Sequence, residues 1–145
     1  MTGIIFHLSA PEGEEIPRSL LEAAVHLTLR EEGHGEGEVS VAFLGDDEAR
    51  RMNREHLGHD WVPDVLSFRL HGADEPPHAD LYVGLEQARR QAREEGVGEV
   101  EELVRLVIHG LLHTLGWDHP DEPEARAASP HYRRQEELVA RVMTS

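Results

Sequence analysis

The sequence predicts an α+β fold: one domain, residues 1–145, with a small mixed sheet packed by helices and a central buried helix that carries a run of histidines. Three observations lead there. Hydrophobic spacing alternates between strand and helix periods in the order β-α-β-α-β-β-α-α-α, which argues for one sheet with helices against it. No repeat, low-complexity tract or linker interrupts the 145 residues, and a chain of that length buries about two-thirds of the surface it exposes when unfolded. The segment EVEELVRLVIHGLLHTLGW, beginning at Glu99, is apolar on almost every side between Leu103 and Leu115, as a helix packed all round must be.

The elements follow in order. GIIFHL (3–8) reads as a short strand. IPRSLLEAAVHLTLREEG (16–33) has helical spacing, with Pro17 near its start, Ser19 and Glu22 placed for a capping box, and Gly33 to stop it. In EGEVSVAFLGDD the residues Val39, Val41 and Phe43 alternate along a strand, and Asp46 or Asp47 can cap the next helix, which runs to about His56. After the loop HLGHDWVPD, VLSFRL (65–70) is a third strand. DLYVGL (80–85) follows the loop HGADEPPHA and leads into a polar helix ending near Gly96. The central helix then starts at Glu99, its histidines expected to be buried with it. HYRRQEELVARVM forms the last helix after the proline-flanked loop HPDEPEARAASP.

Composition narrows the chemistry. There is no cysteine, so disulfides, thiolate zinc fingers and cysteine nucleophiles are excluded and any metal must be held by imidazole or carboxylate. The opening MTGIIFHLSAPEGEE lacks a basic region leading into an apolar run, and no stretch approaches a bilayer-spanning length, so a soluble cytoplasmic protein is expected. A formal net charge of −15 argues against holding nucleic acid by bulk electrostatics. All 14 basic residues are arginine. They cluster as Arg50, Arg51 and Arg54 and as Arg89, Arg90 and Arg93, where planar forks could grip phosphate, although a solvated helix face accounts for either cluster better.

HGLLHTLGWDH (109–119) is the segment that carries chemistry. With 11 histidines in the chain, a His-x-x-x-His pair arises by composition about 0.8 times, but a third histidine six positions on lowers that to about 0.06. His109 and His113 lie on one helical face, and Gly116 is the expected left-handed stop that would return His119 towards the same ion. Three imidazoles on zinc leave one position open, the mark of a catalytic rather than a structural site. Three buried histidines in an apolar segment would otherwise each need a separate partner. The remaining histidines, His7, His26, His34, His56, His59, His71, His78 and His131, show no such spacing and are expected at the surface. The spacing also matches the zinc string of the metzincin proteases, with Gly110 where their catalytic glutamate stands. Methionine occurs only at Met1, Met52 and Met143, and the 26 residues after His119 leave little room for a Met-turn, so a peptidase is the second reading.

The same string resembles the signature of the YbeY family of bacterial ribosomal RNA maturation factors, His-Gly-x-Leu-His-Leu-x-Gly-Tyr-Asp-His, with Thr114 for the second leucine and Trp117 for tyrosine. MNREHLGHDWVPDVLSFRL and ADLYVGLEQARRQA are similar to further family segments, so that the likeness runs over about residues 39–142. It implies a single-strand-specific, metal-dependent endoribonuclease acting on the 3′ end of small-subunit ribosomal RNA and in ribosome quality control. His109, His113 and His119 would be its zinc ligands, one ion per chain, and Asp118 either orients a ligand ring or is a plain loop acid. Asp80 falls on a family aspartate, with Ala79 before it in place of glycine. The implied partners are ribosomal RNA or the small subunit, with a ribosomal protein as a source of specificity, and neither membrane nor DNA. Two departures stand out: His56-Leu57 where the family has Tyr-Arg, and Pro63 where it has threonine. Arg54, one turn before Leu57, could reach the space of the family arginine, and no general base is assigned. A third reading is a non-enzymatic ribosome-assembly factor whose zinc only fixes the fold.

Overall fold

The structure is a computed structural model describing residues 3–145. Four strands, β1 (Gly3–Ser9), β2 (Glu36–Leu44), β3 (Val65–Arg69) and β4 (His78–Gly84), form one sheet in the order β1-β2-β4-β3. β1 and β4 both run parallel to β2, and β3 is antiparallel to β4, so the sheet is mixed. A parallel pair needs a crossover. α1 (Arg18–Glu31) supplies one between β1 and β2, while α2 (Asp46–Leu57) and β3 lie between β2 and β4. α3 (Leu85–Glu95), α4 (Glu99–Thr114), α5 (Pro123–Ala127) and α6 (Pro130–Met143) complete the described chain.

Strand alternation sets the core. The register aligns Phe6 with Val39, Val39 with Ala79, Val41 with Leu81 and Phe43 with Val83, and all of these are buried. Because side chains alternate across a strand, these residues share one face. Leu21, Val25 and Leu29 of α1, Leu103, Val107 and Leu111 of α4, and Leu138 and Val142 of α6 belong to the same apolar cluster. α4 packs on α1, α3 and α6 and on β3 and β4, which is why its sequence is apolar on nearly every side.

Gly110 fixes how closely α4 approaches the sheet. A Cβ there would sit 3.2 Å from Val65 Cγ2, 3.3 Å from Leu81 Cδ2 and 3.5 Å from Ser67 Cβ. A side chain there would press on Val65 and Leu81 and require them to give by a few tenths of an ångström, so glycine suits this close approach of the helix to β3 and β4.

Three local expectations are corrected. The Ser19–Glu22 capping box does not form: α1 starts at Arg18 behind Pro17, with no side-chain cap bond, so Ser19 already lies inside the first turn. Gly45, rather than Asp46 or Asp47, occupies the N-cap of α2, and the two aspartates with Glu48 instead place negative charge in the first turn, where the helix dipole favours it. The loop HPDEPEARAASP contains α5, with Pro123 preset for a first helical turn. No described helix is long and apolar enough to cross a membrane.

Candidate metal centre

The histidine string straddles the end of α4. Gly116 takes φ +102°; its N–H donates to the His113 carbonyl and the Trp117 N–H to the Leu112 carbonyl, both at 3.1 Å. This paired closure reverses the chain. Trp117 is then anchored by its Nε1–H to Glu32 Oε1 at 2.6 Å, and His119 returns beside α4 with its ring centroid 4.8 Å from that of His109.

A third ring completes the cluster, and it comes from α6. Ser129 caps that helix by accepting the Tyr132 N–H, with Pro130 in its first turn, and His131 follows. Its ring stacks on His109 at 4.5 Å and 10° and lies 5.1 Å from His119. The ligand atoms of His109, His119 and His131 are all within 4.8 Å of one another. His131 is fully buried, a correction to its expected surface position: read in one dimension it is a lone histidine near a helix start, 12 residues beyond His119. The signal that could have found it is its place on the apolar face of α6, one turn before buried Gln135 and two before Leu138.

His113 also departs from expectation. Its side chain is 48% exposed, with Nδ1 3.9 Å from Asp118 Oδ1, and it lines the open cleft rather than joining the compact trio. Asp118 itself is largely exposed. His109, one turn earlier, lines the same cleft but is more deeply buried than His113.

Hydrogen bonds set the state of each inner ring. His109 Nδ1 is 2.7 Å from Gln135 Oε1, an acceptor only, so Nδ1 carries the proton and Nε2 the lone pair. Gln135 Nε2–H donates to Glu136 Oε2, and the Arg105 fork clasps both oxygens of Glu136. Burial pushes the Glu136 carboxyl up, but the hydrogen bonds from Arg105 and Gln135, together with the Arg105 charge, outweigh it and hold it below the ordinary range. Burial chiefly raises neighbouring Glu102, against its bonds from Arg105 and Gln91. His119 Nδ1 bonds the Pro120 carbonyl, again leaving Nε2 unprotonated. Burial lowers the pKa of His109 and takes His131 to about 4, so both rings are neutral near pH 7, the form a metal requires.

The donor set fits a borderline divalent ion. Two imidazole nitrogens on one tetrahedral zinc lie about 3.4 Å apart, and one ring nitrogen from each of His109, His119 and His131 lies within 4.8 Å of the others. His131 Nδ1 is buried without a partner, the kind of polar atom a metal would satisfy.

The centre opens onto a cleft of about 970 Å³ lined also by Leu57, Trp61, Asp64, Arg126 and Tyr132. Trp61 is 58% exposed and stacks on His59 at 4.4 Å and 11°. Asn53 Nδ2 holds the Trp61 carbonyl at 3.0 Å, and Arg50 grips Asp60 next to it with two bonds. Four of the six clustered arginines are paired with carboxylates: Arg50 and Arg54 with Asp60, Arg89 with Glu14, Glu86 and Glu99, and Arg90 with Asp46. Arg54 therefore does not fill the space of Leu57, which faces the same cleft. The cleft guanidinium that sequence spacing missed is Arg126 on α5, whose contacts are two 3.5 Å bonds to the Pro120 and Asp121 carbonyls.

Comparison with known proteins identifies the family. The profile described as Endoribonuclease YbeY matches residues 9–142. Proteins named Endoribonuclease YbeY are similar along most of the chain: that of Geobacillus kaustophilus is 38% identical over 92% of this chain and 88% of its own, and that of Bacillus licheniformis 35% identical over 83% and 82%. The solution structure of TM1509 from Thermotoga maritima superposes with a TM-score of 0.66 at 28% identity, covering 95% of this chain and 89% of that one. Profile, relatives and fold thus converge, and the chain belongs to the Endoribonuclease YbeY family.

Proposed function

We propose that this protein is a metal-dependent endoribonuclease that cuts single-stranded RNA, working in maturation of the 3′ end of small-subunit ribosomal RNA and in ribosome quality control. The observation that carries the reading is the convergence of imidazoles from α4, the turn after it and α6 at the wall of an open cleft, in a chain of this family. We assign the ion, zinc by its nitrogen donors, to His109, His113 and His119, with His113 supplying its ring from the cleft side. When bound, it would polarise the phosphoryl oxygen at the scissile bond.

The chain's own groups divide the remaining work. Arg126, bonded only weakly to backbone oxygens, is free to turn its fork to the phosphate and stabilise charge developing there. Trp61 and Tyr132, which both line the cleft, offer aromatic faces to unpaired bases, which a paired helix keeps stacked inside itself. The Gln135–Glu136–Arg105 chain orients His109. Gly110 supplies no carboxylate where a metzincin peptidase has its glutamate, and a Cβ there would already crowd Val65 and Leu81, which disfavours the peptidase reading. The small subunit, or a ribosomal protein on it, would present the RNA, since a chain of net charge −15 attracts free RNA poorly.

Cleavage of a ribosomal RNA fragment with an immature 3′ end, on small subunits, tests the proposal. Wild type should cut, and folded His119→Ala should lose at least about a hundredfold in rate, as should Arg126→Ala with partial recovery in Arg126→Lys. Equal cutting by wild type and His119→Ala, or none by either, would favour a non-enzymatic assembly factor.

A further inference from the structure

We infer that the free edge of β3 docks one unpaired nucleobase of the RNA strand, held by the backbone N–H and carbonyl of Ser67. The inference rests on the ribonuclease reading above and says how the same cleft selects unpaired RNA.

Strand pairing fixes which way these backbone groups point. β3 is the last strand of the sheet and pairs with β4 alone. Along an antiparallel pair, residues that exchange hydrogen bonds with the partner strand alternate with residues whose groups point away from it. Just beyond the ends of β3, the Gly84 N–H donates to the Asp64 carbonyl at 2.9 Å and the Leu70 N–H to the His78 carbonyl at 2.8 Å. In that register Leu66 and Phe68 also turn their groups to β4, while Val65, Ser67 and Arg69 turn theirs outward. The Val65 N–H is taken by Asp64 Oδ1 at 2.7 Å, whereas nothing among the described residues bonds the outward N–H or carbonyl of Ser67. Val65, Leu66 and Ser67 line the cleft with His109 and His113. Ser67 lies under the metal-bearing turn of α4, its Cβ 3.5 Å from where a Cβ on Gly110 would stand.

The chemistry of this edge fits a base better than a phosphate or a peptide. Asp64 and Glu102 line the same cleft, and ionised carboxylates repel a phosphate but tolerate a neutral ring. A peptide that adds as a strand needs outward groups at every second residue, and Asp64 interrupts that run at Val65. One residue's N–H and carbonyl, side by side, match the adjacent acceptor and donor that every nucleobase carries on its Watson–Crick edge. In a paired helix that edge faces the other strand, so only an unpaired base reaches Ser67. Trp61 lines the cleft as well, which brings a stacking surface and a hydrogen-bonding edge into one groove. The contact reads the absence of pairing, not the sequence.

Fluorescence titration of the full-length protein with two labelled probes tests this: a short oligouridine, and the same oligomer with every base N3-methylated. The methyl group blocks the Watson–Crick donor and leaves the charge unchanged. Wild type should bind the unmodified oligomer about five- to tenfold more tightly, as the loss of about one hydrogen bond implies. Ser67→Pro removes the outward N–H, a change an edge strand tolerates, and should lose most of that preference. Arg69→Pro, the same change at the next outward position, should retain it, circular dichroism confirming that both are folded. Equal affinity of wild type for the two oligomers, or binding of neither, would overturn the edge contact even if the variants fail to fold. So would a preference undiminished in folded Ser67→Pro. Tighter binding of an arginine-rich peptide than of oligouridine, lost in Ser67→Pro, would assign the edge to a protein strand and overturn it too. In each of these cases, cutting of the ribosomal RNA fragment by wild type and not by His119→Ala would leave the ribonuclease reading standing.

Discussion

At the scale of the residue, His131 links the site to stability. Burial, and next the charge a protonated His109 would add, hold its pKa at about 4, against about 6.5 in an unfolded chain. Between these values the metal-free protein is neutral at this ring when folded and protonated when unfolded. The unfolded state thus binds the extra proton. The contribution is complete above about pH 6.5, is lost progressively as pH falls towards 4, and amounts to about 3 kcal/mol. Urea unfolding of the chelator-stripped protein at about pH 7 and about pH 4.5 should show that loss, and His131→Gln should flatten it. Identical pH dependence in both proteins would assign the loss to other groups.

At the scale of the element, α4 acts as both core and platform. Its buried leucines hold it between the sheet and the other helices, and that clamp gives the last turn a defined position. Gly110 sets the distance. Gly110→Ala should gain about 1 kcal/mol in helix propensity but cost about 1–3 kcal/mol in crowding against Val65 and Leu81. The expected net effect is a fall in melting temperature of up to several degrees, by about 2–4 °C per kcal/mol. Gly110→Glu, which would build the peptidase motif, should be far worse, since a carboxylate would be forced between helix and sheet. A stable, metal-loaded Gly110→Glu protein in thermal melts would contradict the close contact. Loop 58–64 is the matching element on the other wall: Asn53 and Arg50 brace it, so Trp61 is presented from a fixed backbone.

At the scale of the whole molecule, charge decides how RNA is held. The net charge is −15, and most cationic groups near the cleft are already matched by carboxylates, Arg126 being the guanidinium bonded only to carbonyls. Each phosphate neutralised on a single strand contributes about −0.7 to the salt slope. Binding of a short single-stranded RNA should therefore show a slope of about −1 or shallower, with base stacking carrying much of the affinity. A slope steeper than about −3 in a fluorescence titration would mean an extended phosphate-binding surface and refute this picture.

The sequence by itself determined the class of fold, the order of strands and helices, and the helix whose end presents His109 and His113, because periodicity, turn glycines and a rare spacing are local properties. Gly116 was legible for the same reason: only a left-handed residue closes a helix in that way. Tertiary structure alone decided that His131 reaches the centre, that His113 faces solvent, that Arg126 and not Arg54 is available in the cleft, and that Gly110 touches the sheet. Each depends on where α4 lies against the sheet, where α6 packs on α4 and α5 on α6, or which carboxylate a guanidinium meets. Residues far apart in the chain acquire chemistry in common only when the burial of apolar surface brings their helices together.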